Sequence, residues 1–437
     1  MKRRSKPSHH SIMRSAGLFA GSNLITMVLR IVGGVLTSRF VDPSVLGQYN
    51  GIGLVNGYAP FLQAGVSSGL NRDLPYALGK GDTDHAHMLA AVAQSWSLII
   101  ATVASGSLVL VGGWQYLAGR LDLAVGWWSF SIVVFGTLFG QGYLNALFRT
   151  SGDFVTLARI HLIGGVSALA LVALVWWLGW WGLCLRGLAV AVIGLALLWR
   201  ARPLKVISTF DRSALMSLAR TGLPIMAVGQ AYLWWSTLNS TLVLRYAGAE
   251  GLGFYAIANL AGPAVLLLSG AFGQVVYPRM SEELGRSGRM RDLVRLALEP
   301  TLVSVAATSV AVTAAWFLLP PFVEIVLPKY TSGIGAAQWA VLAAGVMAFA
   351  PVNNVFNVVK KQGRYGAAIL LGIGVYIAIL HYLMRGGVDL VDFPRALLVG
   401  RLAFLGVTGT MIVEMVISQE KREFIERRHR DDQRRES

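Results

Sequence analysis

Residues 17–40 read GLFAGSNLITMVLRIVGGVLTSRF, and residues 45–81 continue as VLGQYNGIGLVNGYAPFLQAGVSSGLNRDLPYALGKG. The first stretch carries one charge, Arg30, before Arg39. An apolar run of this length crosses ~30 Å of hydrocarbon as a helix. The two stretches together predict two membrane-spanning helices with a charge near the middle of the first. Similar runs recur to the end of the chain. Of the 437 residues, 55% are apolar and only 14% charged, against roughly 25% charged in a soluble domain. The prediction is an all-α polytopic membrane protein, not a soluble core with an anchor.

Apolar runs between polar breaks give twelve expected spans. They lie near 17–40, 45–70, 88–112, 123–147, 155–178, 180–199, 217–246, 251–276, 300–327, 333–358, 365–384 and 396–417. The basic residues test this count. Of 38 lysines and arginines, Arg30, Arg159, Arg186 and Arg401 lie inside spans, and those at span ends are counted with the adjoining segments. The rest divide 28 to 6 between alternate sets of segments, and the richer set includes both termini. That bias places both termini in the cytoplasm of a bacterial inner-membrane protein. It also accounts for the net charge of +16 without a nucleic-acid partner. The basic start MKRRSKPSHH resembles a signal peptide, but the run after it is too long and holds Arg30, so it reads as an uncleaved first helix. The one cysteine, Cys184, allows no internal disulfide and no thiolate metal site.

The chain repeats itself. Arg39-Phe40 and Leu46-Gly47-Gln48-Tyr49 match Arg245-Tyr246 and Leu252-Gly253-Phe254-Tyr255 at an offset of 206. Pro60 and Pro75 match Pro263 and Pro278. Asn145, Phe148-Arg149 and Gly152 match Asn357, Lys360-Lys361 and Gly363 at 211–212. Six helices per copy is an even number, so the copies enter the membrane in the same direction, as a parallel pseudo-two-fold repeat. The expected organisation is a six-helix bundle over 1–200, a cytoplasmic linker over 201–216, a second bundle over 217–417 and a charged tail over 418–437. The loop 278–300 is long enough for a short cytoplasmic amphipathic helix. The tail pairs Glu423 with Arg427 and Glu426 with Arg430 at helical spacing.

A charge at the bilayer centre costs about 2.5–3.5 kcal/mol or more. Arg30 lies about thirteen residues into its span, ~20 Å deep at 1.5 Å per residue. It either faces a water-filled cavity or holds a structural ion pair or hydrogen bond. Arg159, Arg186 and Arg401 are shallower and are expected to snorkel. No pair of carboxylates sits at mid-depth. Neutral polar residues in the spans, among them Asn23, Asn56, Gln63, Gln94, Gln141, Asn145 and Asn239, suit interhelical bonding or a path for sugars. His161 and His381 are each alone in their spans and read as structural. Nucleotide-binding, zinc-hydrolase and serine-hydrolase motifs are absent, and no loop has room for a catalytic domain. The expectation is a protein that is not an enzyme and has no cofactor or metal.

The run Asn23…Arg30…Ser38-Arg39-Phe40…Gly47-Gln48-Tyr49 is similar to the opening helix and following turn of the oligosaccharide (polysaccharide-unit) flippases. These belong to the multidrug/oligosaccharidyl-lipid/polysaccharide (MOP) exporter superfamily. Leu327-Pro328-Lys329-Tyr330 with Ala336-Ala337 is similar to the start of that family's tenth helix. The resemblance implies about twelve transmembrane helices in two six-helix bundles (MATE-like) around a central cavity. It implies alternating-access transport of a polyprenyl-diphosphate-linked oligosaccharide for polysaccharide biosynthesis. Candidate substrate contacts are then Arg30, Arg72, Asn23, Asn145 and Arg401. Partners would be that lipid-linked oligosaccharide, membrane lipid, and a polysaccharide polymerase or glycosyltransferases. Two other readings stay open. A MATE-type ion-coupled multidrug exporter would want a buried carboxylate for a cationic drug. A lipid II flippase is suggested by Leu29-Arg30-Ile31-Val32-Gly33, but those proteins have a further Arg-Asp pair and fourteen spans.

Overall fold

The computed structural model describes residues 9–267, 280, 282–284, 286, 289–359 and 361–436. Among these the secondary structure is helical, with no strand. Nine of the described helical segments are long and apolar enough to cross a membrane. By contact the chain divides into two compact units, 1–256 with 324–332, and 257–323 with 333–437.

In the first unit, α1 (His9–Phe40) ends at Phe40, and α2 (Pro43–Tyr58) opens with proline in its first turn, where the missing N–H costs nothing. The expected span 45–70 is not one helix. After α2 the chain tightens through Ala59–Gln63, reverses at Ala64 and Gly65, and resumes as α3 (Val66–Lys80). Both reversal residues have positive φ, 48° and 79°. Pro60 starts the tightening, but the break itself falls at Gly65. The reason is a neighbour: a Cβ on Gly65 would lie 2.5 Å from the Gly222 carbonyl carbon.

Helix α4 (Thr83–Leu117) follows, capped by Asp82, whose side chain accepts the His85 N–H at 3.0 Å. The fourth expected span is a composite: α5 (Leu121–Phe135), a π-wound stretch (Gly136–Leu144) and α6 (Asn145–Thr150). The wide winding is visible in the Asn145 N–H, which bonds the Gly140 carbonyl five residues back. Gly136, Gly140 and Gly142 weaken the α-helical alternative, since each costs ~1 kcal/mol in a helix relative to alanine. Gln63 locks the wide turn. Its amide nitrogen donates to the Leu138 carbonyl, its amide oxygen accepts from Ser67, and its own carbonyl accepts from Trp96 Nε1 at 3.1 Å. A side chain on Gly142 would displace that amide.

Next come α7 (Phe154–Ala170), α8 (Val172–Leu178) and α9 (Trp180–Ala201), with the reversal at Gly179, φ 52°. Asp153 caps α7, accepting the Thr156 N–H at 3.3 Å. An extended linker to residue 211 is held to α4, because Gln94 donates to Ser208 Oγ at 2.8 Å and Ser95 to the Thr209 carbonyl at 2.9 Å. Helix α10 (Arg212–Phe254) then runs 43 residues, broken only at Gly248, whose φ is 72°. Asp211 caps it by accepting the Ser213 and Ala214 N–H groups at 2.7 and 3.2 Å. The Ser213 hydroxyl and these N–H groups hold the Asp211 carboxyl below the usual carboxylate range.

Helix α10 was expected to open a second bundle. By packing it lies in the first unit, antiparallel along α2 and α3. The contact is a stripe of small residues: Gly47, Gly51, Gly57, Gly65 and Gly69 meet Ala249, Leu244, Thr237, Leu223 and Leu218 in turn. Small residues let membrane helices approach closely where no hydrophobic drive exists. At one end the contact is reciprocal. Gly47 lies against the Ala249 carbonyl and Gly253 against the Pro43 carbonyl, so residues 43 and 47 each meet the residue that the offset of 206 pairs with the other.

The second unit contains α11 (Ala256–Val265), most of α12 (Met290–Val326), α13 (Ile334–Gly345), a tightly wound 3-10 stretch (Val346–Asn353), α14 (Asn354–Val358), α15 (Gln362–Leu383) and α16 (Asp392–Glu436). The short helix expected in 278–300 is not separate from Met290 onward; those residues are the first turns of α12. Of its earlier part, residues 280, 282–284 and 286 are also helical, with Arg286 paired to Glu283 at 2.9 Å; the side chains of the Glu423–Arg427 and Glu426–Arg430 pairs lie outside what the structure describes. Phe356, Leu293, Ile412 and Met415 form part of this unit's core.

Candidate functional site

The first unit encloses a cavity of about 360 Å³. One stripe of α1 prepares its wall. Asn23, Thr26, Arg30, Gly33 and Thr37 recur at spacings of three and four, which places them on one helix face. Thr26 and Thr37 return their hydroxyls to the Ser22 and Gly33 carbonyls at 2.8 and 2.6 Å. Against this stripe α7 presents Gly165, where a Cβ would lie 3.2 and 3.3 Å from Leu29 and Thr26.

Arg30 lines the cavity. It makes no ion pair and no hydrogen bond among the described residues. Of the two roles open from sequence, the structural ion pair is therefore absent and the cavity placement is observed. His161 also lines the cavity, with Nδ1 3.4 Å from the Asn23 side-chain oxygen. Asn23 itself stands behind the wall as a partner to His161.

Arg186 corrects the sequence reading, which had it snorkel. Its guanidinium turns inward, donating from Nε to the Ala168 carbonyl at 2.8 Å and from Nη1 to the Thr37 hydroxyl at 3.2 Å. Gly33 makes this possible, because a Cβ there would sit 3.3 Å from Nη2. Beside it, Gly187 leaves room for the Tyr49 hydroxyl, 2.5 Å from where its Cβ would lie.

The π-wound stretch and α6 contribute Thr137, Gln141 and Asn145, and α2 contributes Asn56. The Asn56 and Asn145 side-chain oxygens are buried and have no hydrogen-bond partner among the described residues. Buried acceptors are almost always satisfied, so these two are polar atoms of the wall whose hydrogen-bonding capacity is unused. The lining has Arg30, Arg186 and His161 and no aspartate or glutamate. The lining is thus cationic and neutral polar, without an acidic group among the residues that line it.

The candidates named from sequence thus separate. Arg30 and Asn145 meet in this cavity, and Asn23 supports it. Arg72 is exposed on α3, away from the lining. Arg401 belongs to the second unit, where it is 9% exposed and donates to the Ala343 carbonyl at 2.7 Å, so it does not snorkel. Gln94 and Asn239 serve packing, Asn239 by donating to the Tyr255 hydroxyl at 3.0 Å. Sequence reading missed Arg186, Tyr49 and His161 as cavity residues. Arg186 was judged by its distance from the span end. The usable signal was its pairing with Gly187 and the glycines of the opposing α1.

Residues 131–329, a little under half of the chain, match the model of the polysaccharide biosynthesis protein family. Among solved structures the chain is similar to the inward-facing conformation of a multidrug resistance MATE family transporter of the MOP superfamily. The TM-score is 0.74 at 13% identity, covering 91% of this chain and 96% of that one. Its fold is that of the MATE transporters. An outward-facing conformation of a multidrug resistance MATE family transporter matches with a TM-score of 0.62 at 14% identity, covering 95% and 100% of the two chains. A Vibrio cholerae MATE transporter matches with 0.61 at 14%, covering 93% and 96%. A search of curated proteins returned no match. The MATE-type fold sets the architecture as twelve helices in two bundles. The family model bears the description polysaccharide biosynthesis protein, and the solved structures share the MATE fold.

Proposed function

We propose that this chain is a flippase that carries a polyprenyl-diphosphate-linked oligosaccharide across the bacterial cytoplasmic membrane by alternating access. The observation that carries the reading is the first unit's cavity, with two arginines, a histidine, several neutral polar groups and no carboxylate. A diphosphate needs a positive, partly desolvated partner, and arginine offers a planar fork matched to phosphate oxygens. Asn56, Gln141 and Asn145 supply the neutral donors and acceptors that sugar hydroxyls need. Both termini lie in the cytoplasm, and a polymerase or glycosyltransferases would act on the same lipid-linked intermediate.

The test is substitution of Arg30. Arg30→Ala abolishes translocation while expression and thermal stability hold, because this side chain makes no polar contact to lose. Arg30→Lys keeps the charge without the fork and retains partial activity at best. Normal translocation by Arg30→Ala would sink the site. The solved structures of similar fold favour a second reading, drug export. A cationic drug wants a buried carboxylate, and this cavity has none. Raised resistance to cationic drugs in cells overproducing the protein, without any effect on surface polysaccharide, would favour export.

A further inference from the structure

An arginine side chain carries five N–H donors. In Arg186 two are committed, Nε to Ala168 and Nη1 to Thr37. One N–H on Nη1 and both on Nη2 remain, and the residue lines the cavity. Arg186 makes no ion pair among the described residues, and no carboxylate lines the cavity. A partly buried cation without a counter-charge is costly, and an anion in the cavity relieves that cost.

The two arginines differ in how they are held. Arg186 is tied by α7 and α1, with Nη2 laid against the bare backbone of Gly33. Arg30 stands one turn before Gly33 on the same face of α1 and is untied. Two guanidinium groups therefore flank one stretch of helix, one fixed and one free.

We propose that Arg186 is the fixed arm, and Arg30 the free arm, of a clamp for two adjacent phosphoryl groups. Arg186 then sets a preference for a diphosphate over a monophosphate headgroup. The inference rests on the flippase reading and adds a specificity residue to it. With one phosphoryl group, Arg30 can follow the ligand and Arg186 is left idle. With two, both forks are used.

The test measures binding of farnesyl diphosphate and farnesyl monophosphate to the full-length protein in detergent, with inorganic pyrophosphate as competitor. Wild type prefers the diphosphate by about tenfold or more, the worth of one charge-assisted hydrogen bond. Arg186→Lys keeps the charge but cannot hold both ties while presenting a fork, so the preference falls toward unity. Thr37→Val removes one tie and leaves Arg186 in place, and it lowers the preference part of the way. Should the lysine variant not fold, an unchanged preference in Thr37→Val overturns the clamp. So does an Arg186→Lys protein that melts earlier and weakens both lipids in step, since that is the mark of a purely structural arginine. Pyrophosphate competing as strongly as the lipid would keep the clamp and overturn the flippase reading. Binding of neither lipid by wild type would overturn both.

Discussion

Replacing Gly47 by alanine tests the closest helix approach in the first unit. The new Cβ would overlap the Ala249 carbonyl oxygen and stand 2.7 Å from both that group's carbon and the Gly253 nitrogen. Carbon contacts settle near 3.5–4.0 Å, so the carbon contact alone parts α2 and α10 by roughly 0.8 Å, and the oxygen by more. Overpacking costs about 1–3 kcal/mol when side chains can move aside. Here the obstructing atoms are backbone, so the cost sits at the top of that range, about 3 kcal/mol. Alanine returns ~1 kcal/mol of helix propensity, leaving about 2 kcal/mol of net destabilisation. Gly253→Ala meets the Pro43 backbone in the mirrored position and costs a similar amount. Because either change alone parts the helices, the double variant loses less than the sum of the two. Gly79→Ala, with nothing within 4 Å of its Cβ, is the neutral control. Thermal unfolding in detergent, followed by size-exclusion chromatography, gives the midpoints. A Gly47→Ala protein as stable as wild type, or strict additivity in the pair, would refute the packing argument.

Four further outcomes are expected. Asp211→Ala destabilises at neutral pH. Because native hydrogen bonds depress the Asp211 pKa, that contribution is full above the ordinary carboxylate range and lost as pH falls through the native value. Thermal melts of the two proteins across an acid series should therefore converge at the low end. Lys329→Ala removes an exposed ion pair with Asp42, 2.7 Å long with both side chains more than half exposed; it should change stability by less than about 1 kcal/mol. Tyr330→Ala, next to it, empties a fully buried site and frees the Val41 carbonyl, costing about 3–5 kcal/mol in the same unfolding assay. Reporter fusions at Ser437 and near Arg120 should report opposite compartments, and a shared compartment would overturn the topology.

The helices were legible where apolar length and a turn residue agreed. The reversal at Gly179 and the flanking α7–α8 and α9 fall within a few residues of the expected 155–178 and 180–199. The second span was not, because its break at Gly65 answers to Gly222 on a helix far away in sequence. Local propensity alone points instead to Pro60, since proline interrupts a helix. The π-winding was hidden for a similar reason: it is held by Gln63 from another element. In the site, Arg30 could be found because a mid-span charge demands an explanation. Arg186 could not, because depth along one helix says nothing of which way a side chain turns. Its direction is set by Thr37 and Ala168, on two other helices.

The π-wound stretch Gly136–Leu144 and the 3-10 stretch Val346–Asn353 lie at nearly the offset that relates Asn145 to Asn357. Both interrupt a long span just before a short closing helix. A 3-10 turn rises ~2.0 Å per residue against 1.5 Å in an α-helix, so it draws the chain out thin. A π-turn closes a larger ring and opens the chain sideways. The same segment of a duplicated sequence has thus been slackened in one copy and stretched in the other. Grafting 346–358 in place of 136–150 would keep the length to within a few residues. It would still replace the wide winding that places Gln141 in the wall it shares with Arg30. The two copies have ceased to be spare parts for each other.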